Sequence, residues 1–407
     1  MTRLANLPAD IKQYLIVTGN YWAFTLTDGA LRMLVVLHFH ALGYSPLSIA
    51  MLFLFYEIFG VVTNLVGGYL GARLGLNKTM NIGLAIQVVA LFMLAVPPEW
   101  LSVAYVMLAQ ALSGIAKDLN KMSAKSSIKM LVASGQEGTL FKWVAILTGS
   151  KNALKGVGFF LGGLLLTLMS FKGAMLTMAA TLLVVWCFSI YALKNDLGKA
   201  KNKPKFNEIF SKSSSINILS AARLFLFGAR DVWFVVALPV FLSQAFDWDH
   251  WTVGAFLASW VIGYGAVQSF APKIIKLNKQ TSPSAETVKW ASLLAVVTLA
   301  IALAIGFEWA VKPMLIGGLM LFGVLFAINS SLHSYLIVSM ADADGVSLDV
   351  GFYYMANAMG RLVGTVLSGW IFQRWGLEAC LYASTLFLLL ATLLTTALPK
   401  HAVEQAG

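Results

Sequence analysis

Charge is scarce in this sequence. Asp, Glu, Lys and Arg make up 12% of its 407 residues while hydrophobic residues make up 59%, against about 25% charged in an ordinary soluble domain. The mean hydropathy of +0.78 points the same way, so a water-soluble globule is excluded. Cysteine is nearly missing too. Cys187 and Cys380 fall in separate apolar runs with no CxxC or His-rich context, which predicts plain packing, no disulfide and no metal site. No Walker loop is present, so ATP is not expected as the direct energy source. A nucleophile with a base or a metal cluster is likewise not visible, which argues against a membrane enzyme. The ten-residue alternating strands of an outer-membrane barrel are absent, and no cofactor is expected.

What the chain has is long apolar runs. Stretches long enough for a helix to cross a bilayer, about 20 residues, recur near 14–39, 46–71, 79–97, 101–128, 143–170, 173–193, 215–243, 250–272, 290–311, 314–340, 350–373 and 377–398. The expected fold class is therefore an all-α integral membrane protein of twelve transmembrane helices. The polar leader MTRLANLPADIKQ precedes a first run too long for a signal peptide, so no cleavage is expected.

Basic residues set the orientation. Of 29 Lys and Arg, 20 fall in segments on the N-terminal side of the membrane and three, Lys172, Lys312 and Arg374, in the opposite loops. The positive-inside rule then places both termini in the cytoplasm of a cell bounded by an inner membrane. The net charge of +11 is mostly topogenic and, without a DNA or RNA fold motif, implies no nucleic acid.

The longest polar stretch, KNDLGKAKNKPKFNEIFSKSSS from Lys194, holds six lysines and a proline and reads as a linker. It divides the chain into an N-terminal six-helix bundle (1–193), a basic cytoplasmic linker (194–214) and a C-terminal six-helix bundle (215–407). The halves read as parallel repeats. Asp28 and Arg32 precede LVVLHF in span one, and Arg230 and Asp231 precede VWFVVALPVF in span seven. Lys155, Gly158 and Gly163 in span five match Arg361, Gly364 and Gly369 in span eleven at the same spacings. The GYLGARLGLNKT loop, residues 68–79, resembles the loop signature of the major facilitator superfamily. There glycines allow a tight turn and basic residues hold the loop to the cytoplasmic side; Ala72 stands where that signature has an acid.

A charge at mid-bilayer costs at least about 2.5–3.5 kcal/mol, so it is a functional candidate. Six basic residues lie in spans, Arg32, Lys151, Lys155, Arg223, Arg230 and Arg361, against Asp28, Glu57, Asp231 and, if span four extends so far, Asp118. The net positive interior suits an anionic substrate. Arg32 and Arg230, at comparable depths in the two halves, can each bind phosphate or carboxylate oxygens bidentately. The alternative is structural pairing, Asp28 with Arg32 and Arg230 with a nearby acid. Lys151 and Lys155 share a helix face and line a cavity or pair internally, Glu57 being one partner. The acids are candidates for ion pairing or coupling. Lys117, Lys121, Lys125 and Lys129 recur every fourth residue. They read either as a solvated, topogenic face or, if the repeat carries span four to about 128, as an anion-drawing vestibule with Lys117 and Lys121 as substrate contacts. Asn329 and His333 would be their repeat mates. His38 and His40 read as interfacial, and the Gly158/Gly162 pair as close helix packing.

The stretches NYWAFTLTDGALRMLVVLHFHALGYSP (20–46), FLFYEIFGVVTNLVGGYLGARLGLNKTM (53–80) and SGIAKDLNKMSAKSSIKML (113–131) resemble the ArsJ-type organoarsenical efflux permeases of the same superfamily. That resemblance implies a secondary-active permease working by alternating access and conferring arsenate resistance. Its cargo would be 1-arseno-3-phosphoglycerate, formed when glyceraldehyde-3-phosphate dehydrogenase accepts arsenate, which hydrolyses after export. It implies a functional link to that enzyme, a monomer in the lipid bilayer, and no assignment of individual site residues. An organophosphate or organic-anion antiporter, or an uptake transporter, is the competing reading.

Overall fold

A computed structural model describes residues 8–44, 52–133, 135–193, 197–201, 212–248, 250–275 and 282–399, and among these every regular element is helical. The first half holds α1 (Ala9–Ala41), α2 (Leu54–Leu74), α3 (Leu76–Leu94), α4 (Val103–Leu131), α5 (Glu137–Leu168) and α6 (Phe171–Ala192). The second holds α7 (Ser214–Phe234), α8 (Ala237–Phe246), α9 (His250–Ile274), α10 (Pro283–Gly306), α11 (Val311–Met340) and α12 (Val346–Thr396). Residues 45–51, where the second span was expected to begin, and most of the expected linker (194–196 and 202–211) lie outside the described residues, as does the side chain of His40.

One proline and one glycine explain where helices outnumber or fall short of the expected spans, and a second glycine turns one helix into the next. Gly75, at φ +99°, turns α2 directly into α3 with its amide bonded to Gly71 at 3.0 Å. Gly376, at φ +77°, breaks α12 into the eleventh and twelfth spans. The seventh span is split into α7 and α8 because Pro239 has no N–H for the Val235 carbonyl, and its ring clashes there. The fourth span runs to Leu131, as the repeat with α11 required, and α10 starts at Pro283, with Ser282 accepting from the Ala285 amide at 3.3 Å.

Among the described residues, eight helical segments are long and apolar enough to cross a membrane. The long helices that fall short on composition are α1, α4 and α5, the ones that carry Asp28, Arg32, the lysine row and Lys155. Phe160, Val184, Val296, Val366 and Leu393 are exposed, as expected of a surface that meets lipid rather than water.

The chain forms two compact units. Unit one comprises 1–136, 150–211 and 341–355; unit two comprises 137–149, 212–340 and 356–407. Each is organised around one central helix. In unit one α4 packs on α1, α2 and α3; in unit two α11 packs on α7, α9 and α10. The interior of unit two is aromatic, with Trp260, Trp233, Phe322 and Phe326 in successive ring contacts. That of unit one is polar along α4, where Asp118, Asn120, Ser123, Lys125, Ser126 and Ser127 are all buried.

Glycines bring the first helix of each half against the fifth. A Cβ on Gly158 would lie 2.8 Å from the Leu26 carbonyl oxygen and 3.0 Å from the Gly29 Cα, so α1 and α5 touch backbone to backbone. A Cβ on Gly364 would lie 2.8 Å from the Gly228 oxygen, which sets α7 on α12 in the same way. The third repeat position differs, for Gly163 only grazes Leu37 and Gly369 has open space.

Candidate functional site

In unit one the close α1–α5 crossing sets an acid beside a base. Asp28 accepts a hydrogen bond from the Tyr56 hydroxyl of α2 at 2.7 Å and lies 3.9 Å from the Lys155 ammonium. One turn along α1, Arg32 pairs with Glu57 of α2 at 3.1 Å and lies over the Tyr56 and Phe53 rings, 4.6 and 5.1 Å from their centroids. The alternative pairing of Asp28 with Arg32 does not form, nor does a Lys155–Glu57 pair. The long guanidinium reaches across to α2, and the compact ammonium of α5 takes Asp28 at the glycine crossing. Tyr56 meets Asp28, Arg32 and Lys117, and Asp28 meets Lys155, so the charges of three helices share one neighbourhood.

The lysine row on α4 joins that neighbourhood. Lys117 lies 3.9 Å from the Tyr56 ring centroid and 3.7 Å from Asp118; Lys121 bonds Asp118 at 2.5 Å and sits over the Tyr354 ring. Lys125 donates to the Tyr354 hydroxyl and lies 4.7 Å over the same ring. Lys125 is 3% exposed and Asp118 1%. The solvated reading of the row therefore fails along most of its length: the helix turns these lysines into protein, and aromatic rings and Asp118 take up their charge. Counting Arg32, Lys117, Lys121, Lys125, Lys151 and Lys155 against Asp28, Glu57 and Asp118, unit one carries three more bases than acids.

Unit two concentrates its charge on one carboxylate. Asp231 is fully buried; Arg230 grips its Oδ1 through Nη2 and Nε at 2.5 and 2.6 Å, and Arg361 of α12 donates to Oδ2 at 3.1 Å. Arg230 also lies among Phe227, Phe326 and Phe234, 5.0 to 5.8 Å from their centroids. Two turns earlier Arg223 donates to Asn357 at 2.8 Å and to the Ser330 carbonyl at 3.3 Å. Asn329 and His333, the proposed mates of Lys117 and Lys121, are uncharged or weakly basic and wholly buried on α11. At the far end of α1, His38 stacks on Phe171 with centroids 4.1 Å apart.

Three side chains of these clusters were not singled out from sequence. Tyr56, Tyr354 and Asn357 are polar groups within apolar spans, and that alone could have marked them. Their role as partners of specific bases is set by which helices meet, which a linear pattern does not reveal.

The loop after α2 also departs from its expected signature. Where the signature has an acid, the Ala72 carbonyl accepts from the Ala200 amide at 2.8 Å, and the Leu76 amide donates to the Leu197 carbonyl at 2.8 Å. Arg73 donates to the Tyr69 hydroxyl and lies 5.7 Å from its ring centroid.

Residues 15–286 match the sequence profile described as the Major Facilitator Superfamily. No curated protein matches the sequence. The fold is similar to that of the human organic anion transporter MFSD10 (TETRAN), with TM-score 0.73, 16% identity and coverage of 96% of this chain and 100% of that one. It is similar to a bacterial homologue of the iron transporter ferroportin in an outward-facing state (TM-score 0.74, 14% identity, 96% and 99% covered). The proton:xylose symporter XylE gives TM-score 0.75 at 11% identity, with 96% of each chain covered. At such identities the likeness is one of fold. With the profile covering more than half of its length and its helices following the fold throughout, the chain belongs to the Major Facilitator Superfamily.

Proposed function

We propose that this membrane transporter is a secondary-active permease that exports an organoarsenical anion, 1-arseno-3-phosphoglycerate, and thereby confers arsenate resistance. The observation that carries the anion reading is the surplus of base over acid inside each unit: three in unit one, and three arginines to one aspartate in unit two. A charge within a membrane span is costly, and a surplus of one sign is best offset by a cargo of the other. The arsenical cargo rests on the resemblance of residues 20–46, 53–80 and 113–131 to the ArsJ-type permeases.

In this reading Arg32, Lys151, Lys155, Lys117 and Lys121 of unit one, and Arg230 and Arg361 of unit two, contact substrate. Asp28, Glu57, Asp118 and Asp231 hold those bases when substrate is absent. The halves 1–193 and 215–407 act as two bundles in alternating access, both termini face the cytoplasm of a bacterium, and the protein works as a monomer. A multiply charged anion leaving a cell that is negative inside gains about 2.3 kcal/mol per charge per 100 mV, so the potential alone assists export.

Arsenate efflux from cells expressing this chain, with and without glyceraldehyde-3-phosphate dehydrogenase, tests the proposal. Efflux and resistance that require both proteins support it; equal efflux without the dehydrogenase overturns the arsenical cargo. The same basic surplus fits an organophosphate or organic-anion exchanger working in uptake, and cells that lose arsenate resistance on expression would favour that reading. A reporter fused after Lys205, beyond the described residues, is expected to read cytoplasmic.

A further inference from the structure

The first turns of α12 belong to unit one although the rest of the helix belongs to unit two, the change falling between Met355 and Ala356. What holds those turns is mostly uncharged. The Ser347 hydroxyl donates to the Gly68 carbonyl at 2.7 Å. Gly351 and Gly68 meet so closely that a Cβ on Gly351 would lie 2.6 Å from the Asn64 oxygen and 2.8 Å from the Gly68 Cα. Just before the helix, Asp344 accepts from the Lys201 amide at 2.7 Å. One contact differs in kind: Tyr354, 2% exposed, offers its hydroxyl to Lys125 and its ring to both Lys121 and Lys125.

From this geometry we propose that Tyr354 is a ligand-displaceable latch: a phosphate-bearing anion bound to Lys121 and Lys125 takes them from Tyr354 and frees the first turns of α12 from α2 and α4. The proposal rests on the anion reading of the lysine row and extends it to how binding is transmitted. Tyr354 offers these ammoniums only a phenol oxygen and a ring face, weaker partners than a doubly charged phosphate, whose bonds are charge-assisted on both sides, while Lys121 keeps its bond to Asp118 at 2.5 Å. An anion that binds the row better when Tyr354 is withdrawn shifts the helix toward release, because a ligand moves an equilibrium only by its differential affinity for the two states. The glycine and serine contacts do not involve the row and act as a constant hold. Tyr354 is thus a positioning residue, coupling substrate to the first turns of α12.

The test uses the full chain in detergent with its native cysteines replaced and the pair Lys201→Cys and Asp344→Cys introduced, both at exposed positions that meet just before the helix and lie outside the lysine row. A short thiol cross-linker reads whether the segment is held. Inorganic phosphate is the probe, its binding is measured in parallel by calorimetry, and potassium chloride at equal ionic strength is the control. The latch predicts that phosphate, and not chloride, slows cross-linking at least threefold. Tyr354→Phe, which keeps the ring and removes the acceptor, is expected to be slowed to a similar degree without phosphate and to respond little to it. Ser347→Ala, which weakens the hold elsewhere, is expected to keep its response. Phosphate that binds without changing the rate, equal slowing by chloride, or a Tyr354→Phe protein that behaves as the parent would overturn the latch and leave the anion site standing. No binding of phosphate would overturn both.

Discussion

The two units solve one problem with different chemistry. Each sets a carboxylate of its first helix against a base of the helix that crosses it at a glycine contact: Asp28 with Lys155 beside Gly29 and Gly158, and Asp231 with Arg361 beside Gly228 and Gly364. In unit one the surrounding bases are mainly lysines, and tyrosine hydroxyls and rings share in holding them. In unit two two arginines grip one buried aspartate among phenylalanines. A lysine ammonium is a compact charge on a flexible stem, whereas a guanidinium is a preorganised planar fork. The comparison teaches that the bases of unit two are held in a more fixed geometry than those of unit one.

The largest effect that can break this contrast is on stability. Asp231→Asn removes the carboxylate charge that both arginines hold, and loss of one side of a buried ionic network costs about 3–5 kcal/mol. Asp28→Asn still accepts from Tyr56 and loses only the longer contact with Lys155, for about 1–2 kcal/mol. Thermal unfolding in detergent should rank Asp231→Asn well below Asp28→Asn, and equal losses would erase the distinction between the units.

Next come the arginines. Arg32→Ala and Arg230→Ala are each expected to cut transport about 10- to 100-fold, the worth of a charged hydrogen-bonded contact, while the protein still accumulates in the membrane. Lys is expected to substitute poorly at both positions because it lacks the bidentate fork. Full activity of either Ala variant removes that residue from the substrate site.

The span pattern was legible in the sequence because hydropathy reports it directly, and α9 to α12 and α6 lie within a few residues of expectation apart from the early start of α10 at Pro283. The α4–α11 repeat correctly extended the fourth span past Lys125, since the two helices are central to their units. Pairing was the part that could not be read. An i, i+4 spacing places Asp28 and Arg32 on one face, yet Glu57 of α2 captures Arg32 and Tyr56 and Lys155 capture Asp28. Periodicity gives a residue its face and depth; which helix lies opposite is decided by the glycine contacts.

A smaller effect sharpens the picture inside unit one. Along the lysine row, Lys117→Gln and Lys121→Gln are expected to weaken transport several-fold more than Lys129→Gln, which lies about 12 Å from Lys121 at 1.5 Å per residue. Uniformly small effects in a vesicle transport assay would return the row to a topogenic role.

The central claim is that the buried basic surplus of unit one binds a phosphate-bearing anion, and calorimetric titration of the purified chain with 3-phosphoglycerate tests it most directly. The account predicts saturable binding that Lys121→Gln weakens at least tenfold and that Lys289→Gln, an exposed change on α10, leaves intact. Binding that is indifferent to Lys121, or equally sensitive to both, would contradict it.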